Sequence, residues 1–187
     1  NLKDLALAGD VLMVNDSDDP EMCYHADWLL LDALAKTLPE IPRLAVFKGP
    51  PWDFVENGIS AIFQNIVRQL GGDIQEVIIP PVVEDALSVH ATIMNASATA
   101  NPGRYLEHAD KLLPETVKRI SAGLEISAVD YLGAIDKAEA IRLALDQILE
   151  KYDALITLAA PGEAPLGLQS TGNPVFQKIW TLTGMPT

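Results

Sequence analysis

The stretch from Arg43 to Ile79 constrains this chain more than any other. Arg43-Leu-Ala-Val-Phe-Lys48 is a short apolar run closed by Gly49-Pro50-Pro51, the pattern of a strand buried on both faces. From Asp53 the apolar residues fall at Phe54, Val55, Ile59, Ile62, Phe63, Ile66, Val67 and Leu70. Steps of three and four place them on one side of a helix, which predicts a helix over 53–71 ended by Gly71-Gly72. Ile74 to Ile79 is rich in β-branched residues and is closed by Pro80-Pro81, which predicts a second strand. Strand, helix and strand within 37 residues make a βαβ unit, right-handed and with parallel strands. The fold class is therefore α/β: a mixed, mainly parallel sheet flanked by helices.

The flanks are helical. Leu2 to Met13 has helical apolar spacing, and Asp19 with Pro20 and Glu21 marks the start of another helix running to Leu38. Pro39 and Pro42 bracket a linker. After the βαβ unit a helical excursion spans residues 83 to 151. It holds one helix over 83–100, one opened by Pro114 and closed by Gly123, and a long one to Tyr152. Ser127 and Asp130 stand as a capping box at the start of the last. Ala154 to Leu158 reads as a third strand of the same sheet, and Val175 to Leu182 as a final helix. The chain opens at Asn1 inside an apolar pattern and stops at Thr187 just after another. The expectation is a single α/β fragment over 1–187, truncated at both ends from a larger domain.

Charge narrows the function classes. Thirteen Lys+Arg against 26 Asp+Glu leave a net charge of −13, which opposes non-specific nucleic-acid binding and docking on an anionic membrane. A single cysteine, Cys23, forms no internal disulfide and no metal motif, in keeping with a reducing, cytoplasmic setting. No metal and no cofactor is expected. His25, His90 and His108 lack ligand spacing, and His90 reads as a half-buried histidine of a helix face. Asp16, Asp18 and Asp19 lack the glycine and bidentate glutamate of a calcium loop. There is no nucleophile elbow, Walker loop or dinucleotide fingerprint. Ser170-Thr171 lacks a nearby histidine, with Lys178 eight residues on, and reads as a turn.

The segment Thr157 to Pro174 stands out. Residues 159–174 hold three prolines and three glycines in 16 positions, directly after a strand. Ligands of α/β folds bind beyond the carboxyl ends of strands, so this is either a binding-site wall or a structural loop. Leu155-Ile-Thr-Leu-Ala-Ala-Pro161, Ala164-Pro165, Ser170-Thr-Gly-Asn-Pro-Val-Phe176 and Trp180-Thr-Leu-Thr-Gly-Met-Pro186 together resemble the C-terminal part of amidase signature enzymes. Gly49-Pro-Pro-Trp-Asp53, Gly71-Gly72, Ile126-Ser-Ala-Val-Asp-Tyr131 and the Leu2 to Ala6 segment extend the resemblance along nearly the whole chain. Leu158 stands where the family usually has proline.

The resemblance implies a hydrolase of carbon–nitrogen amide bonds acting through a Ser–Ser–Lys triad and a glycine/serine-rich oxyanion loop. A serine attacks the amide carbonyl, a second serine relays protons, and a neutral lysine serves as base. Those elements precede Leu2 in the family, so no catalytic residue carries over to this chain, and the fragment alone is expected to be inactive. What carries over is a wall for a small-molecule amide substrate: Thr157, Thr171, Gly172, Phe176 and Trp180, with Trp180 alternatively a core residue. The uncovered strand edges of such a fragment invite self-association. Two other readings stand beside it. One is the A-type subunit of a tRNA-dependent amidotransferase, against which the Ser170 to Pro174 and Trp180-Thr181 pairing argues. The other is a non-catalytic α/β interaction module.

Overall fold

The computed structural model describes residues 1–13, 18, 29–36, 41–100 and 102–187. They fall into two compact units, Asn1–Pro42 and Arg43–Thr187. In the first, α1 (Leu2–Leu12) is capped by the Asn1 side chain, which accepts from the Asp4 amide. The Asp10 carboxylate accepts from the Leu30 and Leu31 amides at 2.5 and 3.2 Å, so one helix caps the next, the short α2 (Leu30–Leu34). The expected helix start at Asp19-Pro20 lies outside the described residues.

The second unit is built around a three-stranded, fully parallel sheet with β1 (Leu44–Val46) between β2 (Gln75–Glu76) and β3 (Ala154–Ile156). Ala45 stands opposite Gln75 on one side and Leu155 on the other. The parallel βαβ pairing expected from the sequence is present, and so is the third strand. Ion pairs tie both ends of β1 to its neighbours. Arg43 reaches Asp153 at 2.8 Å before β3, and Lys48 reaches Glu76 at 2.6 Å on β2. The Arg43 amide also donates to the Asp153 carboxylate at 2.7 Å.

Strand alternation decides which layer each residue meets. Ala45 and Phe47 point into a core shared with Val83, Val89, Ala134, Ile141, Leu145, Ile179 and Trp180. These come from α4 (Ala86–Ala100), α6 (Ala128–Leu149), α7 (Lys178–Thr183) and the short 3-10 turn Pro81–Asp85. Val46 and Lys48 point the other way, toward α3 (Ile59–Leu70), whose Phe63 and Val67 line the same hollow. Helices thus cover both faces, as a parallel sheet requires.

Several boundaries depart from the sequence reading. The helix expected from Asp53 begins at Ile59: Pro50–Phe54 forms a 3-10 turn and Val55 is extended, so the helical ladder cannot run through. The helix expected from Val83 begins at Ala86, after a 3-10 turn opened by Pro81. Pro102–Lys111, between the two expected helices, is a kinked 3-10 segment. The long helix stops at Leu149 rather than Tyr152, and its capping box is present: the Ser127 hydroxyl accepts from the Asp130 amide at 3.1 Å.

Gly123, expected to close α5 (Pro114–Leu124), lies inside it at the crossing with α4. The Thr99 hydroxyl donates to the Ile120 carbonyl at 2.6 Å, holding the two backbones together there. A Cβ on Gly123 would overlap the Thr99 hydroxyl and the Asn95 carbonyl. Gly123→Ala is expected to lower unfolding stability by about 2–3 kcal/mol, measured by urea denaturation.

Hydrogen bonds from the Arg43 side chain and backbone hold the Asp153 carboxyl below its ordinary range. A depressed folded-state pKa contributes stability that is complete above the unfolded value and is lost as pH falls through the folded one. The wild type is therefore expected to lose stability on acidification below about pH 4. Arg43→Ala should lose less over the same interval, as read from urea midpoints at stepped pH.

Candidate functional site

Because the strands are parallel, their carboxyl ends lie on one side of the sheet, and each leads into a proline: Pro50, Pro80 and Pro161. An aromatic cluster fills the space behind this rim. Phe47 and Trp180 stand 5.1 Å apart between ring centres, tilted by 60°. Trp52 meets Phe63 edge-on at 5.2 Å and Phe176 at 6.3 Å, and its indole N–H donates to the Phe47 carbonyl at 3.2 Å. Lys48 places its ammonium 5.2 Å from the Trp52 ring centre.

The loop after β3 is fixed to this rim by its own backbone. The Glu56 amide donates to the Pro161 carbonyl at 3.0 Å, and the Gln177 side chain donates to the Ala159 carbonyl at 2.9 Å. The Ser170 hydroxyl accepts from the Gly172 amide at 3.1 Å, and the Asn173 side chain from the Val175 amide at 3.1 Å. Ser170 thus acts as a turn hydroxyl. Lys178 lines a different hollow, and no lysine is among the described residues lining the hollow of Ser170 and Thr171.

The structure divides the five expected wall residues. Thr157 and Trp180 line a hollow of about 610 Å³ with Leu155, Ile156, Gln177 and Met185. Thr171 and Gly172 line a second hollow of about 630 Å³, bounded by Glu56, Ala159 to Pro165 and Asn173. Ala159 borders both. Phe176 lines neither and is buried beneath the loop, and Trp180 is almost entirely buried, its ring also part of the core.

Two contributors were not singled out from the sequence. Glu56 presents the one carboxylate beside Glu163 in the second hollow, and Gln177 ties the loop to the last helix. Neither has a local sequence signal, because each meets a loop far along the chain. The first hollow runs along the outer edge of β3. Ile156 turns its carbonyl to β1, where it accepts from the Phe47 amide at 2.9 Å. By alternation Leu155 and Thr157 turn their N–H and C=O groups outward over the open edge.

No family model matches the chain, and no curated protein matches it either. Solved structures do. The chain is similar to a structure described as an amidase, with a TM-score of 0.65, 22% identity, and coverage of 83% of this chain and 40% of that one. It is also similar to a structure of a vestigial protein complex that reveals the evolutionary origins of an s-triazine catabolic enzyme. There the TM-score is 0.71 at 21% identity, over 98% of this chain and 42% of the other; an inhibitor-bound complex of it gives the same values. The chain thus has an amidase-like fold and spans about two-fifths of the length of these structures. Among the described residues no helix is long and apolar enough to cross a membrane.

Gly172 has φ +95°, a conformation that costs a side-chain-bearing residue strain. Gly172→Ala is expected to cost about 1–2 kcal/mol. The loss should appear as faster proteolysis within residues 159–174 at native conditions, with the core protection unchanged.

Proposed function

We propose that this chain is the C-terminal portion of an amidase-signature hydrolase that cleaves carbon–nitrogen amide bonds. One observation carries the reading: the likeness to a structure described as an amidase extends over 83% of this chain. In this reading Thr157, Thr171 and Gly172 offer hydroxyl and backbone groups to a small-molecule amide. Phe176 and Trp180 hold the wall in shape from beneath. The Ser–Ser–Lys triad and its oxyanion loop are supplied by sequence outside this chain, and the protein works in the cytoplasm without a cofactor.

The open edge of β3 gives the reading a second side. A strand with unpaired outward groups recruits another strand, so the isolated chain self-associates there. The neighbour described as a protein complex supports association as a habit of this fold.

Purified chain is expected to show no turnover of simple aliphatic or aromatic amides above buffer, with a longer protein containing it as active control. Loss of a nucleophile alone removes on the order of 10⁶-fold of the rate in a serine protease, and here the whole unit is absent. In the active protein, Trp180→Ala or Phe176→Ala should change preference across an amide panel more than the rate on the smallest amide. Equal losses across the panel would reduce both residues to packing.

A further inference from the structure

The hollow between α4, α5 and α7 adjoins the loop after β3, sharing Gln177 with the first rim hollow and Pro174 with the second, but its basic side chains have no part in the proposed hydrolysis. It measures about 270 Å³ and is lined by His90, Asn95, Arg119, Gln177 and Lys178, with Met94 and Thr181 among its other walls. Three helices therefore contribute one basic side chain each. No Asp or Glu lines it, in a chain that carries 26 acids against 13 Lys+Arg.

Four of the thirteen Lys and Arg side chains hold a carboxylate among the described residues. Arg43, Lys48, Lys137 and Arg142 each hold a carboxylate within 2.8 Å. Arg119 and Lys178 share with seven others the lack of a carboxylate partner among the described residues, and are set apart by meeting with His90 at one acid-free hollow. Arg119 is exposed and Lys178 half-buried, each beside a buried neighbour, Ile120 and Ile179. Like charges left facing one hollow repel, and a bound anion relieves that repulsion.

We propose that this hollow is a binding site for a compact dianionic oxyanion, the phosphate or dicarboxylate group of a small metabolite. The Arg119 guanidinium offers two parallel donors to such a group, and the Lys178 ammonium supplies a point charge opposite. His90 and Asn95 add neutral donors. The apolar edge of Met94 leaves room for a short carbon chain. The field of the site is already felt by His90, whose pKa is lowered first by burial and then by Lys178 and Arg119. On the far side of His90, Arg142 and Glu139 line an adjoining hollow and neutralise each other at 2.7 Å.

The test is NMR titration of the 187-residue chain with inorganic phosphate and, separately, malonate, with sodium chloride at matched ionic strength as reference. His90 ring resonances report the site. Saturable shifts at millimolar phosphate or malonate, with the His90 pKa rising as the anion binds, are expected. Arg119→Gln and Lys178→Met should each weaken binding about tenfold, the loss of one hydrogen bond to a charged group. Lys178→Arg should retain it, and Lys118→Gln, on the same helix as Arg119 but outside the hollow, should leave it unchanged. The tighter of the two anions identifies the head group. Shifts reproduced by chloride alone would mean screening and would overturn the site. So would binding that survives both cation losses, or no saturable shift in variants that keep the native circular dichroism. Binding is read without any amide assay, so its failure leaves the hydrolase reading standing, and its success does not depend on it.

Discussion

Nearly everything in the Arg43–Thr187 unit depends on β1 being used on all four sides. Its two edges carry β2 and β3. Its two faces carry the helical core through Ala45 and Phe47 and the α3 layer through Val46. Its ends are fixed by Arg43–Asp153 and Lys48–Glu76. Burial of so short a strand leaves little tolerance for a slip in register, because a shift by one residue would send Phe47 to the wrong layer. Those constraints also set the rim where the loop after β3 lies.

The rim joins two kinds of material. Behind it is an aromatic cluster whose rings are held by packing and by the Trp52 hydrogen bond to Phe47. In front is a loop held by carbonyl contacts from Glu56 and Gln177 and shaped by prolines. Rigid support beneath a backbone-lined surface is suited to orienting a small polar group. The basic hollow at α4, α5 and α7 differs in kind, since three helices each bring a basic side chain to it and no acid lines it.

Much of this was legible in the sequence because the signals were local. Each strand is followed by a proline, Ser127 and Asp130 announce their helix, and the β-branched runs mark the sheet. The break between Asp53 and Ile59 was hidden because Phe54 and Val55 happen to keep the helical period while Pro50-Pro51 impose a tighter turn. At the rim, composition identified the loop but not the roles within it. Trp180 reads equally well as wall or core from its sequence, and in the fold its ring is part of both. Glu56 meets Pro161 more than 100 residues away, a pairing that only the folded chain creates.

The position of β3 carries a consequence for the order of assembly. Ala45 pairs with Gln75 after 30 residues and with Leu155 after 110. Closing the longer loop costs about 1 kcal/mol more chain entropy than the shorter one. The elements between, from the 3-10 turn at Pro81 through α6, are helices and 3-10 turns built largely from near neighbours. Local helices close quickly and distant parallel strands slowly. β3 and the loop and α7 that follow it bring Trp180 down onto Phe47. During synthesis the rim can take shape only after α7 has emerged, because Trp180 and the loop after β3 complete it.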